Sequence, residues 1–359
     1  MNKGLGLRKR IGLELFRQEQ LRVRKIHELR TLFWECTLRC NVACRHCGSD
    51  CRAVSTQKDM PLEDFLKAID SITPHVNPHR VFVIFTGGEP LMRKDLEVCG
   101  LELYRREYPW GIVTNGLQLN RQRLDSLLRS GMHTITVSLD GLEPAHNWLR
   151  QHPQSFLRAS KTIEMLSKEK EIKWDVVSCI NQQNFEDLPA FRDYLIDLGV
   201  ENWRIFTIFP VGRAMLTPEL QLSEEQFTRL LDFISTTRKE GKIHLNFACE
   251  GFLGPYEAEV RDHFYHCHAG ISVASIRIDG AISGCPSIRA NYDQGNIYQD
   301  NFTEVWEKGF QPFRDRSWTK QGECADCPVY RYCEGNGMHL RDESGKLLVC
   351  HYHKLKTHL

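Results

Sequence analysis

Trp34-Glu-Cys-Thr-Leu-Arg-Cys40-Asn-Val-Ala-Cys44-Arg-His-Cys47-Gly48 is the stretch that decides the fold. It places a CxxxCxxC triplet, Cys40, Cys44 and Cys47, just after the short apolar run Leu32-Phe33-Trp34. Thiolates at this spacing on one loop suit a soft metal or an iron–sulfur cluster. The count of three matters, because a [4Fe–4S] cluster held by three cysteines keeps one iron open to a non-protein ligand.

Composition narrows the classes around that loop. The chain has 359 residues, 41% of them hydrophobic, with a formal charge of +1, so overall charge makes no case for nucleic acid or membrane. Most of its 14 cysteines fall in two groups, 36–51 and 267–350, rather than spreading as a disulfide framework does. There is no signal peptide and no apolar run of about 18 residues. A cytoplasmic protein with metal sites and no stable membrane insertion is the expectation.

Residues 1–30 carry nine Lys/Arg against three Glu, with apolar residues at helical spacing. They read as a basic amphipathic segment packed on the body, or as a docking surface for an acidic partner or anionic lipid. From 31 to 240, β-like runs alternate with helical patterns. The strand candidates are 32–36, 80–86, 111–115, 134–139, 174–180 and 203–209, rich in Val, Ile, Phe, Trp and Thr. Asn120 and the Ser223–Gln226 capping box mark helix starts between and after them. Repeated strand–helix units imply parallel strands with right-handed crossovers. Six units fit, which predicts an α/β partial (β/α)6 TIM-type barrel, with residues 241–359 as a cysteine-rich domain containing a β-hairpin.

Ligand chemistry in such folds sits at the carboxyl ends of the strands. The cysteine loop follows the first strand and Thr86-Gly87-Gly88-Glu89-Pro90 the second. Thr114-Asn115-Gly116 follows the third, and Ser138-Leu139-Asp140-Gly141 the fourth. With these motifs the chain resembles the radical SAM superfamily. The resemblance implies that Cys40, Cys44 and Cys47 bind a [4Fe–4S] cluster whose open iron takes S-adenosylmethionine. It implies that Gly87, Gly88 and Glu89 meet the methionine ammonium, that Ser138 and Arg150 contact its carboxylate, and that His46 packs by the adenine. Asn115 joins the cofactor-binding set. Reduction would cleave the cofactor to methionine and a 5′-deoxyadenosyl radical that abstracts hydrogen from substrate. Cys36 and Cys51 are assigned to packing or surface roles, and Cys99, in a helical stretch, and Cys179, in a strand, to the core.

The tail is similar to the SPASM extension of radical SAM enzymes that modify peptides. Cys267 is followed by Gly280 and Cys285, with a hairpin turning at Asp279-Gly280, and then by Cys324, Cys327, Cys333 and Cys350. The resemblance implies an auxiliary [4Fe–4S] cluster on Cys324, Cys327, Cys333 and Cys350, with a four-cysteine zinc site as the alternative. A further auxiliary cluster would be anchored by Cys267 and Cys285. Its usual remaining positions hold Gly337 and Arg261, leaving Cys249 as a distant recruit and His263, His266, His268 and His339 as nitrogen candidates.

The motif set most resembles a bacterial subgroup paired with small putative lipoproteins, which implies a peptide or small-protein substrate. The expectation is that no peptide-recognition domain of about 80 residues precedes the barrel, so that leader binding would use the N-terminal segment or a separate protein. An external electron donor such as a flavodoxin or ferredoxin is implied as well. Two other readings stay open: a sulfatase-maturase-like enzyme forming formylglycine, and a non-enzymatic zinc or nucleic-acid module, which leaves the barrel motifs without a purpose. No residue of the sequence stands out as the catalytic acid or base.

Overall fold

The computed structural model describes residues 5–356. Seven parallel strands follow one another in a single sheet: β1 (Thr31–Thr37), β2 (Phe82–Gly87), β3 (Trp110–Thr114), β4 (Met132–Ser138), β5 (Lys173–Ile180), β6 (Asn202–Thr207) and β7 (His244–Phe247). Helices α2 (Leu62–Ile72), α3 (Leu96–Arg105), α4 (Arg121–Arg129), α5 (Glu143–Arg150), α6 (Ser155–Leu166), α7 (Leu188–Asp197) and α8 (Glu224–Glu240) carry the crossovers. A preceding helix, α1 (Leu7–Ile26), stands outside this alternation.

Strands covered on both faces need apolar side chains in both directions. In β1, Trp34 lies fully buried, stacked on Phe65 at 4.1 Å and edge-on to Phe85 at 5.1 Å. Asn120 caps α4 through the Arg123 N–H, and Ser223 and Gln226 close the capping box on α8. The register brings Thr37 opposite Gly87, Thr114 opposite Val137 and Ile180 opposite Thr207. The strand ends that carry the motifs therefore share one rim.

The sheet exceeds the six expected units. Strand β7 has only four residues, two of them polar (His244 and Asn246), too little pattern to stand out in sequence. The hairpin β8 (Val273–Ile276) and β9 (Ala281–Ser283) turns at Gly280 as expected, but it is not confined to the tail: β8 adds to the free edge of β1 in parallel. Strand β10 (Gly295–Asn296) completes the order β10-β9-β8-β1-β2-β3-β4-β5-β6-β7.

Beyond it come short elements only: α9 (Phe302–Lys308), α10 (Gln311–Arg314), α11 (Tyr330–Cys333) and α12 (His351–Lys356). Helix α1 docks on this tail. Leu13 is buried, Arg331 reaches Glu14 at 2.7 Å, Lys9 reaches Glu259 at 2.9 Å, and Arg24 pairs with Glu334. No helix among the described residues is long and apolar enough to cross a membrane.

Candidate active site

The cysteine loop leaves β1 and is clamped by distant segments. The Cys40 N–H donates to the Arg52 carbonyl at 2.7 Å, and the Arg45 N–H donates to the Leu149 carbonyl in α5 at 2.9 Å. Arg213, in the turn after β6, donates its own N–H to the Cys47 carbonyl at 3.1 Å. Its guanidinium donates to the carbonyls of Cys44 at 2.7 Å and Cys51 at 3.0 Å.

Gly87 and Gly88 are required by the same crowding. Gly87 has φ +123°, and a Cβ would stand 2.1 Å from the Thr37 carbonyl oxygen there and 2.2 Å from that of Arg39 at Gly88. The closeness is used: Gly88 N–H donates to Thr37 at 2.7 Å and Glu89 N–H to Arg39 at 2.9 Å. The glycine pair thus locks the β2 turn against the cysteine loop.

The sulfurs of Cys40, Cys44 and Cys47 share one cluster with Val42, Cys51 and Leu117, and all three are free thiols. N–H groups point at each: Arg150 Nη1 lies 3.7 Å from Cys44 Sγ, Asn115 Nδ2 4.0 Å from Cys40 Sγ, and Cys51 N 3.4 Å from Cys47 Sγ. Burial pushes the Cys40 thiol up to about 12 and raises Cys44 against the pull of Arg150. Cys47 goes the other way, lowered by hydrogen bonds from the Cys51 thiol and N–H together with Arg213. Three free sulfurs at one place, each faced by a donor and flanked by two arginines, fit a three-thiolate iron–sulfur cluster.

Around them the polar residues are tightly committed. Glu89 is buried, and its two oxygens accept from Thr114 Oγ1 at 2.7 Å, the Asn115 N–H at 2.7 Å and the Leu91 N–H at 3.1 Å. Its carboxylate ties β2 to β3. Asn115 holds the cysteine loop by donating Nδ2 to Asn41 Oδ1 at 2.7 Å. Ser138 is buried at the end of β4.

Asp140 is the hub that sequence reasoning quoted within a motif but did not assign. Arg150 Nε donates to it at 2.5 Å and the Cys179 N–H at 2.9 Å. Burial raises its carboxyl, but Arg150, His46 and His146 outweigh burial and hold it at about 2. His46 and the Cys179 thiol approach Asp140 closely, with one ligand atom of each within 4.8 Å of the others. His46 Nδ1 is buried without a protein partner, and burial takes the ring down to about 4. Cys179, expected in the core, is half-buried at this mouth because β5 ends there.

The tail gathers its own thiols. Cys327 and Cys333 pack in one cluster with Tyr265, Val329 and Tyr352. Burial raises Cys333 to about 12, and the neighbouring sulfurs of Cys350, Cys324 and Cys327 push the same way. Arg341 Nη2 stands 3.7 Å from Cys324 Sγ. Four free sulfurs with a guanidinium donor also fit an iron–sulfur cluster. Cys285 packs against the main core, and Cys267 packs both against that core and against the cluster that holds Cys327 and Cys333.

Comparison with known proteins agrees with this layout. Residues 34–195 match the radical SAM superfamily model, and residues 267–328 match the SPASM iron–sulfur cluster-binding domain. An AdoMet-dependent heme synthase of Oleidesulfovibrio alaskensis is 26% identical over 347 residues, covering 88% of this chain and 86% of that protein. The mycofactocin maturase MftC of Mycolicibacterium smegmatis is 28% identical over 318 residues, covering 86% and 77%. Among solved structures, anSMEcpe with bound AdoMet superposes with a TM-score of 0.72 at 19% identity, covering 91% of this chain and 95% of that one. Streptococcus suis SuiB bound to S-adenosylmethionine gives 0.68 at 19% identity, covering 88% and 75%. The chain carries a radical SAM domain and, C-terminal to it, a SPASM iron–sulfur cluster-binding domain, the pair of domains that brings [4Fe–4S] clusters and S-adenosylmethionine as cofactors.

Proposed function

We propose that this enzyme abstracts a hydrogen atom from a genetically encoded peptide or small protein, using Cys40, Cys44 and Cys47 as the ligands of its catalytic cluster. The convergence of these three free sulfurs on N–H donors from Arg150, Asn115 and Cys51 is the observation that carries the reading. Cys40, Cys44 and Cys47 would hold a [4Fe–4S] cluster, which would supply one electron for reductive cleavage of S-adenosylmethionine to methionine and a 5′-deoxyadenosyl radical. The protein's part is orientation. Glu89 is saturated by three donors, so the methionine ammonium would be met by backbone carbonyls of the Gly87–Glu89 turn. Arg150, held by Asp140, and Ser138 on the neighbouring strand end would receive the methionine carboxylate. His46 offers its unpartnered nitrogen at the same mouth. Cys324, Cys327, Cys333 and Cys350 would hold an auxiliary cluster, and a flavodoxin- or ferredoxin-like donor would supply electrons in the cytoplasm.

A second substrate class is favoured by one finding: relatives covering more than four-fifths of the chain bear the name heme synthase. A porphyrin would then take the place of the peptide.

The test is anaerobic incubation of reconstituted enzyme with S-adenosylmethionine and dithionite. Deuterium-labelled peptide and deuterium-labelled porphyrin are supplied in parallel. Deuterium in 5′-deoxyadenosine from the peptide supports the proposal; transfer from the porphyrin alone selects the second class. No 5′-deoxyadenosine in any arm would sink both.

A further inference from the structure

A groove of about 600 Å³ runs beside the cysteine loop, built by the turns that follow β1, β2 and β3. Asp140, Cys179 and Arg213 come instead from the ends of β4, β5 and β6, farther along the sheet. Leu91 and Leu117 form a buried floor. Arg39, Arg93, Lys94, Arg123 and Arg158 line the walls, and among the described residues no carboxylate does.

Most of these cations already have partners. Arg123 pairs with Glu97 at 2.6 Å, Arg39 pairs with Asp59, and Arg93 turns inward to the carbonyls of Cys36 and Met60 at 2.9 and 2.7 Å. Lys94 and Arg158 are exposed, and among the described residues neither has a carboxylate partner. Arg158 meets Gln154 Oε1 at 3.2 Å and the Leu117 carbonyl at 3.4 Å. Each guanidinium is turned to its own partner rather than to a common point, so the groove is not built to grip one small anion. It offers a positive rim around an apolar floor, which suits a transient protein encounter steered by charge.

The floor adjoins a catalytic sulfur. Leu117 packs in one cluster with Cys40, Cys44 and Cys51. Its N–H donates to Asn115 Oδ1 at 3.0 Å, and Nδ2 of the same amide stands 4.0 Å from Cys40 Sγ. A packed path therefore runs from the groove through Leu117 and Asn115 to Cys40. On the other flank of the loop, Arg150 Nη1 faces Cys44 Sγ and is held by Asp140. An occupant of the groove and a substrate at the mouth thus approach the loop from different strand ends.

We infer that the electron donor docks in this groove: a protein with an acidic face around a one-electron centre, seated on Lys94 and Arg158 with that centre toward Leu117. One electron leaves the donor and passes to the group held by Cys40, Cys44 and Cys47, and docking itself makes and breaks no bond. The competing basic surface is the outer face of α1, where Arg8 and Lys25 are exposed. There the helix itself stands between solvent and the thiols of Cys327 and Cys333 that share a cluster with Leu13. Exposed Leu7, Ile11 and Leu15 also break up its charge. The inference rests on the catalytic reading above, in which this loop takes up an electron.

The reconstituted full chain is driven with S-adenosylmethionine in two ways, by reduced flavodoxin and by dithionite, a small reductant that needs no docking face. Lys94→Glu combined with Arg158→Glu should cut the flavodoxin-driven rate of 5′-deoxyadenosine formation about tenfold and leave the dithionite-driven rate within about twofold. Raising salt from about 50 to about 300 mM should slow the first rate in the unmutated enzyme and spare the second. Equal losses with both reductants, or none with flavodoxin, overturn the inference. So does a loss produced by Arg8→Glu with Lys25→Glu and not by the groove variant, which would move the docking face to the tail. Binding of oxidised flavodoxin, followed by its flavin fluorescence, needs no turnover and should weaken in the groove variant alone. Equal binding by all three proteins overturns the docking face. Absence of 5′-deoxyadenosine from the unmutated enzyme with dithionite is instead a failure of the catalytic reading, so the two failures are distinguishable.

Discussion

The loop of Cys40, Cys44 and Cys47 and the group of Cys324, Cys327, Cys333 and Cys350 both gather thiols, yet they are made of different material. The loop hangs between strand ends and is clamped by Arg213, Asn115 and the Gly87–Gly88 turn, all rooted in the sheet. The tail group stands on single turns. A helix of four residues ends at Cys333, and Glu334, Gly335 and Asn336 follow with φ values of 49, 79 and 72°. Arg341 then spans the Gly335 and Gly345 carbonyls and Cys324 Sγ. Left-handed residues other than glycine are costly and persist only where surroundings fix them. The difference separates a site preformed by the scaffold from one whose bound group is part of its scaffold.

The largest expected effect sets the two against each other by function. Replacing Cys40, Cys44 and Cys47 with Ala should take 5′-deoxyadenosine below detection while the melting temperature falls little. Replacing Cys324 and Cys327 should do the reverse, lowering the melting temperature and leaving reductive cleavage within about tenfold of the parent. Loss of cleavage in both would join the sites functionally and break the comparison. Chelation should sharpen it. Stripping iron from the intact protein should expose residues 317–350 to protease while the segments of β1 to β6 stay protected, because binding free energy is folding free energy where the scaffold is thin. Equal protection of the two regions would show that the tail is as preformed as the barrel.

Next in size is the buried charge at each site. Asp140→Asn leaves the Arg150 guanidinium buried without its counter-ion, a change that costs about 3–5 kcal/mol. Arg341→Met removes a donor from two carbonyls and a sulfur, about 1–3 kcal/mol. Urea unfolding of the reconstituted proteins measures both, and an Arg341 effect equal to that of Asp140 would remove the distinction.

Much of this was legible in the sequence because its signals are local. Cysteine spacing, Gly-Gly-Glu-Pro and the apolar strand runs each lie within a few residues, and the strands fold in parallel where those runs predicted. The rest depends on contacts that local pattern does not encode. Arg213 reaches the Cys44 carbonyl across 169 residues, and β8 joins β1 from more than two hundred residues away. Glu89 reads as a ligand residue beside two glycines, yet its oxygens are spent on β3 and its own turn. Cys51 and Cys179 look like packing thiols. One hydrogen-bonds Cys47, and the other faces His46 and Asp140. The nearest signal for Arg213 is a Gly-Arg pair just past a strand end, too common to single out.

The smallest effect is a pH dependence carried by buried histidines in both regions. His146 is fully buried, accepts the Asp140 N–H on Nδ1 at 3.0 Å and meets Ser155 Oγ with Nε2 at 2.9 Å, an arrangement that requires the neutral ring. Burial lowers it from 6.5 to about 3, with Asp140 opposing and Arg150 assisting. Above the ordinary histidine range the folded and unfolded rings are both neutral, and the full stability is present. As pH falls below 6.5 the unfolded chain takes a proton that the folded ring refuses until about 3. Stability is therefore lost across that window at about 1.4 kcal/mol per pH unit for this one group. His351 in the tail is also lowered by burial, but Glu250, 3.5 Å away, pulls it back up, so its window is narrower. His146→Gln should flatten the fall in unfolding free energy between pH 6.5 and 5 by about one proton, and His351→Gln by less, as urea titrations at stepped pH would read. Equal flattening by the two would mean that the Glu250 contact does not hold the His351 proton in the folded protein.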